Sequence, residues 1–472
     1  MSTRATVIVD IGKTLTKASL WTESGGLIER RSRPNAQVDA GDFLALDAVG
    51  IETWLESTLR ELARIERIAH IFPVAHGAAA ALIRDAELKL APVDYEHAIP
   101  ASIHRDYDAS REPFALTGSP ALPDGLNLGT QLHFLEQLYP DLWAGDPTVL
   151  PWPQYWSWRL SGQPSSEVTS LGCHTDLWYP AAAGFSRLAI ERRWAARFAP
   201  LNRADRMVGT ISKEWMARSG LPGDVKVWCG LHDSNAALIA ASTHAQHADF
   251  TVLSTGTWFV AMRSCASHVE ASSLPPERDC LINVDIDGNP VPSARFMGGR
   301  EIDLLLGSDA RHVDLNRDAH AQMAAAQAVL ANSAMVLPSW VAGTGPFGKS
   351  RGRWLSMPAD PVERAAAVYL YAALVTDAAL DLIGAKDCLI IEGRFAAAQL
   401  LVAALAALRP EMAVYAAPAE HNVALGALKL ISPSFSPTQP LARARALPLS
   451  LEAYRRRWRE ECNSYGPTRI DK

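Results

Sequence analysis

Two short segments, "ATVIVDIGKTLTKASLW" at residues 5–21 and "DFTVLSTGTWFVAM" at 249–262, repeat one pattern about 240 residues apart. Each is an apolar run rich in β-branched residues, then a turn carrying Gly and hydroxyl or charged side chains, then a second apolar run. Apolar runs of this length fit buried strands, and such turns join them into hairpins. In the first copy Ala5–Val9 is a strand, Asp10-Ile11-Gly12-Lys13 a turn and Thr14–Trp21 the returning strand. "ESGG" at 23–26 makes a second turn and Leu27 opens a third strand, so the segment reads as a β-meander. In the second copy the turn is Ser254-Thr255-Gly256-Thr257. The repetition points to an internal duplication, two related α/β halves facing each other across a cleft. Later segments agree: "VERAAAVYLYAALVTDAALDLIGA" predicts a long Ala-rich helix, and "CLIIEGRFAAAQLLVAALAALRPEMAVYAAP" predicts strand, Gly turn, helix and strand.

A chain of 472 residues is too long for one ordinary domain, and 48% hydrophobic with 20% charged residues describes a globular protein with ample core. A formal net charge of −6 gives no general attraction to nucleic acid or to an anionic membrane. The densest basic stretch, "YRRRWRE" near the C-terminus, reads as a solvated helix face. No run approaches the ~18 consecutive apolar residues of a membrane span. "MSTRATVIVD" lacks the apolar core of a signal peptide. The cysteines at 173, 229, 265, 280, 388 and 462 show no metal-like pairing, which fits free thiols in a reducing cytoplasm.

"GTGPFGKS", Gly343 to Ser350, fits the nucleotide-binding pattern G-x-x-x-x-G-K-[ST] at every fixed position. That motif works because a strand delivers the Gly-rich turn into a helix whose N-terminal N–H groups hold phosphate. Here "RGRWLSMPADP" follows, and its Gly and two Pro residues allow no regular helix to start at Lys349. The same objection removes the overlapping G-x-G-x-x-G. The stretch is therefore expected to be a loop.

The first meander turn is the better phosphate site. It offers backbone N–H groups, a hydroxyl and cations, with Asp10 available for a hydrated Mg²⁺. The segments also follow, in order from about residue 5 to 430, a pattern that resembles the FGGY carbohydrate kinases of the actin, hexokinase and Hsp70 superfamily. "DIGKTLTK" looks like that family's first phosphate motif, and "VAHGA" at 74–78 is similar to the His-Gly segment bordering the sugar. "HRDYDASR" at 104–111 resembles the segment whose Asp holds sugar hydroxyls. "LTGSPALPDGLNLGTQL" and "WSWRLSGQPSSEVTSLG" match lid-side helices. "VWCGLHDSNAALIA" is similar to the catalytic-Asp motif and "STGTW" to the second phosphate motif. "LPSWVAGTGPFGKSRGRW" matches a family segment with a Gly-rich loop, and "IIEGRF" with "NVALGAL" resembles the adenosine end. Two departures stand out: Glu392-Gly393 replaces the usual Gly-Gly with no Ser or Asn soon after it, and Lys13 sits where Thr or Ser is common.

The resemblance implies two ribonuclease H-like, actin-type domains. Residues 1–245 would carry the sugar side, 246–435 the nucleotide side, and 436–472 a C-terminal extension with one helix. It implies ATP and Mg²⁺ as cofactors and a small sugar as substrate, with "GLHDSNAA" and "HRDYD" nearer the rhamnulose and fuculose kinases than the glycerol kinases. Asp233 would be the general base and Asp10 the metal residue. Gly12, Thr14, Lys17, Thr255, Gly256, Thr257, Gly393 and Arg394 would hold the nucleotide, and His76, Asp106 and His232 the sugar. Asp233 also has an ordinary reading, since Asp between a strand and a helix is a favoured N-cap worth ~1 kcal/mol. Ser234 and Asn235 can fill that position as well. The Trp-rich "LPWPQYWSWRL" at 150–160 is expected to be helical core packing rather than a sugar platform. A non-catalytic sensor of the same fold and a polyol kinase are the competing readings. The sequence is compatible with a homodimer, and the chain is expected to bind neither nucleic acid nor membrane.

Overall fold

A computed structural model describes residues 4–245, 248–266, 269–307, 318–418, 423–437 and 440–464. The chain divides into two compact units. The first comprises Met1–Thr243, Ile282–Val291 and Val423–Thr438, and the second His244–Leu281, Pro292–Asn422 and Gln439–Lys472. The two short segments of the first unit fall inside the stretch that the sequence reading gave to the second half.

The expected meander opens the first unit. Strands Ala5–Ile11, Leu15–Trp21 and Leu27–Pro34 pair antiparallel in chain order. The amphipathic helix Ala48–Ile65 then buries Ile51, Leu55, Leu59 and Leu62, and Asp47 caps its N-terminus through the Gly50 amide. It returns the chain to Ile68–Ala75, which lies parallel to Ala5–Ile11 on the other side. Lys226–Trp228 adds a further parallel strand and Met207–Thr210 an antiparallel edge. With Leu231–His232, also paired to Ile68–Ala75, the sheet has seven strands. The Trp-rich segment forms the helix Trp152–Ser161, and Trp152, Trp156 and Trp158 are buried in the core beside the sheet residues Val7, Val9 and Ile71.

The second unit repeats the plan. Phe250–Thr255 pairs antiparallel with Phe259–Ser264, which pairs antiparallel with Pro290–Phe296. Cys388–Gly393 then joins Phe250–Thr255 in parallel, followed by parallel Ala413–Ala416. The two sheets thus share a three-strand meander followed by parallel strands on the far side of its first strand, the signature of the duplication. The Ala-rich segment is the helix Pro361–Leu382, started by Asp360, whose carboxylate accepts from the Val362 and Glu363 amides. This helix is long and apolar enough to cross a membrane, but 89% of its most apolar window is buried within the fold, so it is a core helix.

The C-terminal segment is no appendage. Helix Glu452–Ser464 buries Tyr454, Trp458 and Cys462. The Trp458 indole donates to the Val336 carbonyl at 2.7 Å, and the Tyr454 hydroxyl to that of Ala334 at 2.6 Å. Only Arg456 and Arg457 of "YRRRWRE" behave as a solvated face, because Arg455 and Arg459 turn inward to the fully buried Asp377. All six cysteines are free thiols.

Candidate active site

Three neighbouring parallel strands of the first unit end in one row. Ile11 lies opposite Ala75, and Ala75 opposite His232. Asp10, His76 and Asp233 therefore gather at the carboxyl ends of adjacent strands, where open α/β sheets place their ligands. Gly230 makes this arrangement possible. Its φ is +78°, and a Cβ there would stand 2.6 Å from the Pro73 carbonyl oxygen, so only glycine lets the chain turn into Leu231 at this spacing.

Asp233 is the first residue of helix Asp233–Ser242, and His232, not Asp233, occupies the cap position. The carboxyl therefore stands one residue past the cap, where the Ser234 amide still bears on it. It accepts from the Ser234 hydroxyl at 3.2 Å and lies 3.3 Å from His232 Nε2. Its side chain is 29% exposed, yet it sits deep among protein atoms. That burial, reinforced by the negative charge of Asp10, pushes its pKa up to about 6, while His76 acts in the opposite direction. The His76 ring donates from Nδ1 to the Gly77 carbonyl at 2.8 Å and packs edge-on to Tyr95. Burial holds His76 below the ordinary histidine value, against the pull of the Gly77 carbonyl and Asp233, so its imidazole is neutral.

His232 is wedged in place. Its Nε2 lies 3.5 Å from Cys173 Sγ, and its amide donates to the Thr169 hydroxyl at 3.1 Å. Thr169 in turn leans on buried Glu167, whose carboxyl burial raises to about 7. This brace under the Asp233 turn was not read from "SSEVTS". A Glu two residues before a Thr carries no spacing signal, and only the fold brings both beneath residue 232.

The first turn is built to meet anions. Lys17 Nζ pairs with Asp10 at 3.1 Å. The Gly12 amide closes the turn on the Leu15 carbonyl, and Asn35 holds the Gly12 carbonyl at 2.7 Å. Thr14 is exposed at the tip, and its amide and that of Lys13 meet no acceptor among the described residues. Asp10 and Asp233 offer hard carboxylate oxygens. Mg²⁺ takes one or two of these and fills its octahedron with water and phosphate oxygens, so the donor set fits. Among the described residues no group of three or more His, Cys, Asp or Glu could hold a metal without such help.

In the second unit the hairpin is placed as expected, but Thr255 ends its first strand and is not free to bind phosphate. Its buried hydroxyl donates to the Glu392 carbonyl and accepts from the Phe395 amide at 3.0 Å. Ser254 donates to the Glu392 carboxylate at 2.6 Å. Gly256 is exposed and Thr257 partly so, which leaves these two to face a ligand. Gly393 has φ +86° and would bring a Cβ within 2.5 Å of the Thr255 carbonyl, so Thr255 and Gly393 together lock this corner. Arg394 is half exposed and pairs with Asp303 at 3.2 Å. Asn422, the first residue of the "NVALGAL" segment, lies outside the described residues.

Asp106 does not join the group. It lies on helix Ala101–Asp108 with its side chain 63% exposed, and its carboxylate is bound to His133 at 2.8 Å and Gln137 at 3.1 Å. Asp94, missed in "APVDYEH", bears electrostatically on His76 instead.

The P-loop lookalike is a loop between the antiparallel strands Met335–Leu337 and Arg353–Leu355. Four of its amides are already used: that of Gly345 goes to the Asp279 carboxylate, and those of Gly343, Gly348 and Ser350 to the Gly348, Gly345 and Phe347 carbonyls. Lys349→Ala is therefore expected to leave Mg·ATP affinity unchanged in a binding titration, and a large loss would restore the P-loop reading.

Two ribonuclease H-like domains, each with a phosphate-type hairpin, and an aspartate poised at a strand end define a two-domain phosphotransferase. The family model for the carbohydrate kinase FGGY C-terminal domain matches residues 247–439. A carbohydrate kinase from Novosphingobium aromaticivorans is 49% identical over 98% of this chain and 99% of its own, with a TM-score of 0.88. The chain belongs to the FGGY carbohydrate kinase family. Xylulose kinase from Rhodospirillum rubrum shares the fold at 19% identity, with a TM-score of 0.77 over 98% of each chain. Plasmodium falciparum glycerol kinase with ADP does so at 10% identity, with a TM-score of 0.79 over 100% of this chain and 99% of its own. No curated protein sequence matches the chain.

Proposed function

We propose that this kinase transfers the γ-phosphoryl group of ATP to a hydroxyl of a small ketose, a pentulose or deoxyhexulose. The observation that carries the reading is Asp233, which follows the helix cap rather than forming it, has a raised pKa and stands level with Asp10 and His76 at the strand ends. Phosphoryl transfer asks a protein for positioning, charge neutralisation and removal of one proton. Asp233 takes that proton as the sugar oxygen bonds phosphorus and the bond to ADP breaks. His76, which is neutral, and His232 orient the sugar through hydrogen bonds, with Tyr95 beside His76. Lys17 and the amides of Lys13 and Thr14 hold phosphate at the first turn, and in the second hairpin Gly256 and Thr257 are the residues open to a ligand. Thr255 shapes its turn rather than touching the ligand, and the corner at Gly393 and Arg394 borders adenosine. Mg²⁺ on Asp10, when bound with ATP, supplies charge neutralisation at the β- and γ-phosphates.

The ketose assignment draws on the xylulose kinases among the structural neighbours and on the "GLHDSNAA" string. "HRDYD" no longer supports it, because Asp106 is engaged on an exposed helix. The six free thiols support a reducing, cytoplasmic setting as part of the proposal. The test is ADP release with Mg·ATP across a panel of ketoses, aldoses and polyols. One or two ketoses are expected to exceed all other compounds in kcat/KM. A polyol ahead of every ketose would overturn the substrate class. Sugars that raise the melting temperature without any ADP release would favour a sensor.

A further inference from the structure

Lys13 lies in the phosphate turn, between Asp10 and Thr14, yet its ammonium does not join Lys17 at Asp10. It reaches Asp94, 81 residues on, and forms a buried ion pair there, with side-chain exposures of 11% and 1%. A Glu96 carboxylate oxygen lies 3.6 Å from Lys13 Nζ, and the Tyr95 ring centroid 4.9 Å. The receiving loop is rigid: Asp94 Oδ1 accepts the Glu96 amide at 2.8 Å, and the Asp94 carbonyl accepts that of His97 at 2.8 Å. Oδ2 is thus the one carboxylate oxygen given to Lys13. Asp94 and Lys13 both act electrostatically on His76, as Asp233 does, so the pair stands beside the proposed sugar position. Lys13 also belongs to the turn whose amides await phosphate. One flexible ammonium therefore lies within reach of two anions, the carboxylate it holds now and the phosphate its turn is built to receive.

We propose that Lys13 is a switched phosphate ligand, parked on Asp94 in the empty site and passed to the terminal phosphate of the nucleotide when a sugar hydroxyl takes over Asp94 Oδ2. The inference rests on the kinase reading for the identity of the two ligands. It makes the sugar a condition for full charge neutralisation at the phosphate, which keeps water from being the acceptor in its absence. A pair that only tethered the loop would have no effect on nucleotide affinity.

The test is calorimetric titration with Mg·AMP-PNP, without sugar, of the wild type, Asp94→Asn, Lys13→Gln and the double variant. Asn keeps the side-chain oxygen that the Glu96 amide needs while giving up the charge that holds Lys13. Asp94→Asn is expected to bind AMP-PNP about tenfold more tightly, within the ordinary range of coupling between sites. Lys13→Gln is expected to bind as the wild type does without sugar, because the parked ammonium does not touch the nucleotide, and the double variant to match Lys13→Gln. An unchanged or weaker Asp94→Asn overturns the switch. So does a gain that persists in the double variant, since removing a negative charge would then act without Lys13. If Asp94→Asn fails to fold, Lys13→Gln decides alone: a sugar that tightens AMP-PNP binding to the wild type should lose that effect in Lys13→Gln, and an undiminished effect overturns the proposal. A panel in which no sugar drives ADP release would sink the kinase reading, while these sugar-free titrations would still decide the behaviour of Lys13.

Discussion

Asp233→Asn is expected to lower kcat by about 10³-fold, the middle of the range that a positioned general base contributes. The variant should fold, because residue 233 is the first helical residue rather than the cap, and Asn matches Asp in size. The pH profile makes the assignment specific. A base must be ionised to act, and a carboxyl pushed up to about 6 is still partly protonated at pH 6, so wild-type kcat/KM should rise through that value and level off above it. The variant should show no such limb. Stability should move the opposite way from activity. The folded-state pKa lies above the unfolded value, so the folded chain binds the extra proton between about pH 4 and 6 and loses stability as pH rises through that window. Above pH 6 the variant, free of this buried charge, should melt at a higher temperature than the wild type, and near pH 4 the two should coincide. Wild-type turnover in Asp233→Asn would remove the mechanism outright.

Asp377→Ala should destabilise the second unit by ~3 kcal/mol, the lower end of the cost of removing one partner of a buried ion pair, because Arg409 still keeps the part-exposed Asp381. Asp377 is fully buried on the core helix Pro361–Leu382 and receives three arginines: Arg409 Nε at 2.7 Å, Arg455 Nε at 2.7 Å and Arg459 Nη2 at 2.7 Å. Arg409 is 6% exposed and has nowhere to find water, whereas the other two come from the C-terminal helix and are partly exposed. The neighbouring Asp381 touches the same arginines but is 41% exposed, so Asp381→Ala should cost ~1 kcal/mol or less. Urea denaturation of both variants checks the contrast. Equal, small shifts would show that the C-terminal helix is held by Tyr454 and Trp458 alone.

The sequence disclosed the parts of the fold that repeat or carry a period. Both hairpins, the long Ala-rich helix and the burial of the Trp-rich helix follow from apolar runs and turn residues, and the structure has them where expected. Asp10 was read from its turn and Asp233 through the family resemblance, and the structure puts both at the carboxyl ends of strands that pair with Ile68–Ala75. Long-range partners were not. Nothing in "APVDYEH" marks Asp94 as the acceptor of Lys13, and Asp106 was chosen from a string whose helix faces solvent. Thr255 was read as a turn residue but ends the strand Phe250–Thr255, and whether its hydroxyl serves a ligand or the backbone depends on Glu392 and Phe395, 137 and 140 residues away. The arginines of the C-terminal helix looked solvated because their counter-charge, Asp377, hides in an apolar helix.

The helix that begins with Asp233 is completed late in synthesis. Its apolar side, with Ala236 and Ala240, packs against Ala424, Ala427 and Leu428 of helix Val423–Ile431. The two helices approach so closely that a Cβ on Gly426 would lie 2.0 Å from the Ala236 carbonyl oxygen. That partner leaves the ribosome about 180 residues after the first helix ends, roughly 10–40 s at ordinary translation rates. Until then the nascent chain carries Asp233 on a helix with one bare face, an exposed surface that chaperones would meet. A fragment cut before residue 423 would inherit the same bare face permanently, so the first unit of this kinase has no self-sufficient N-terminal version.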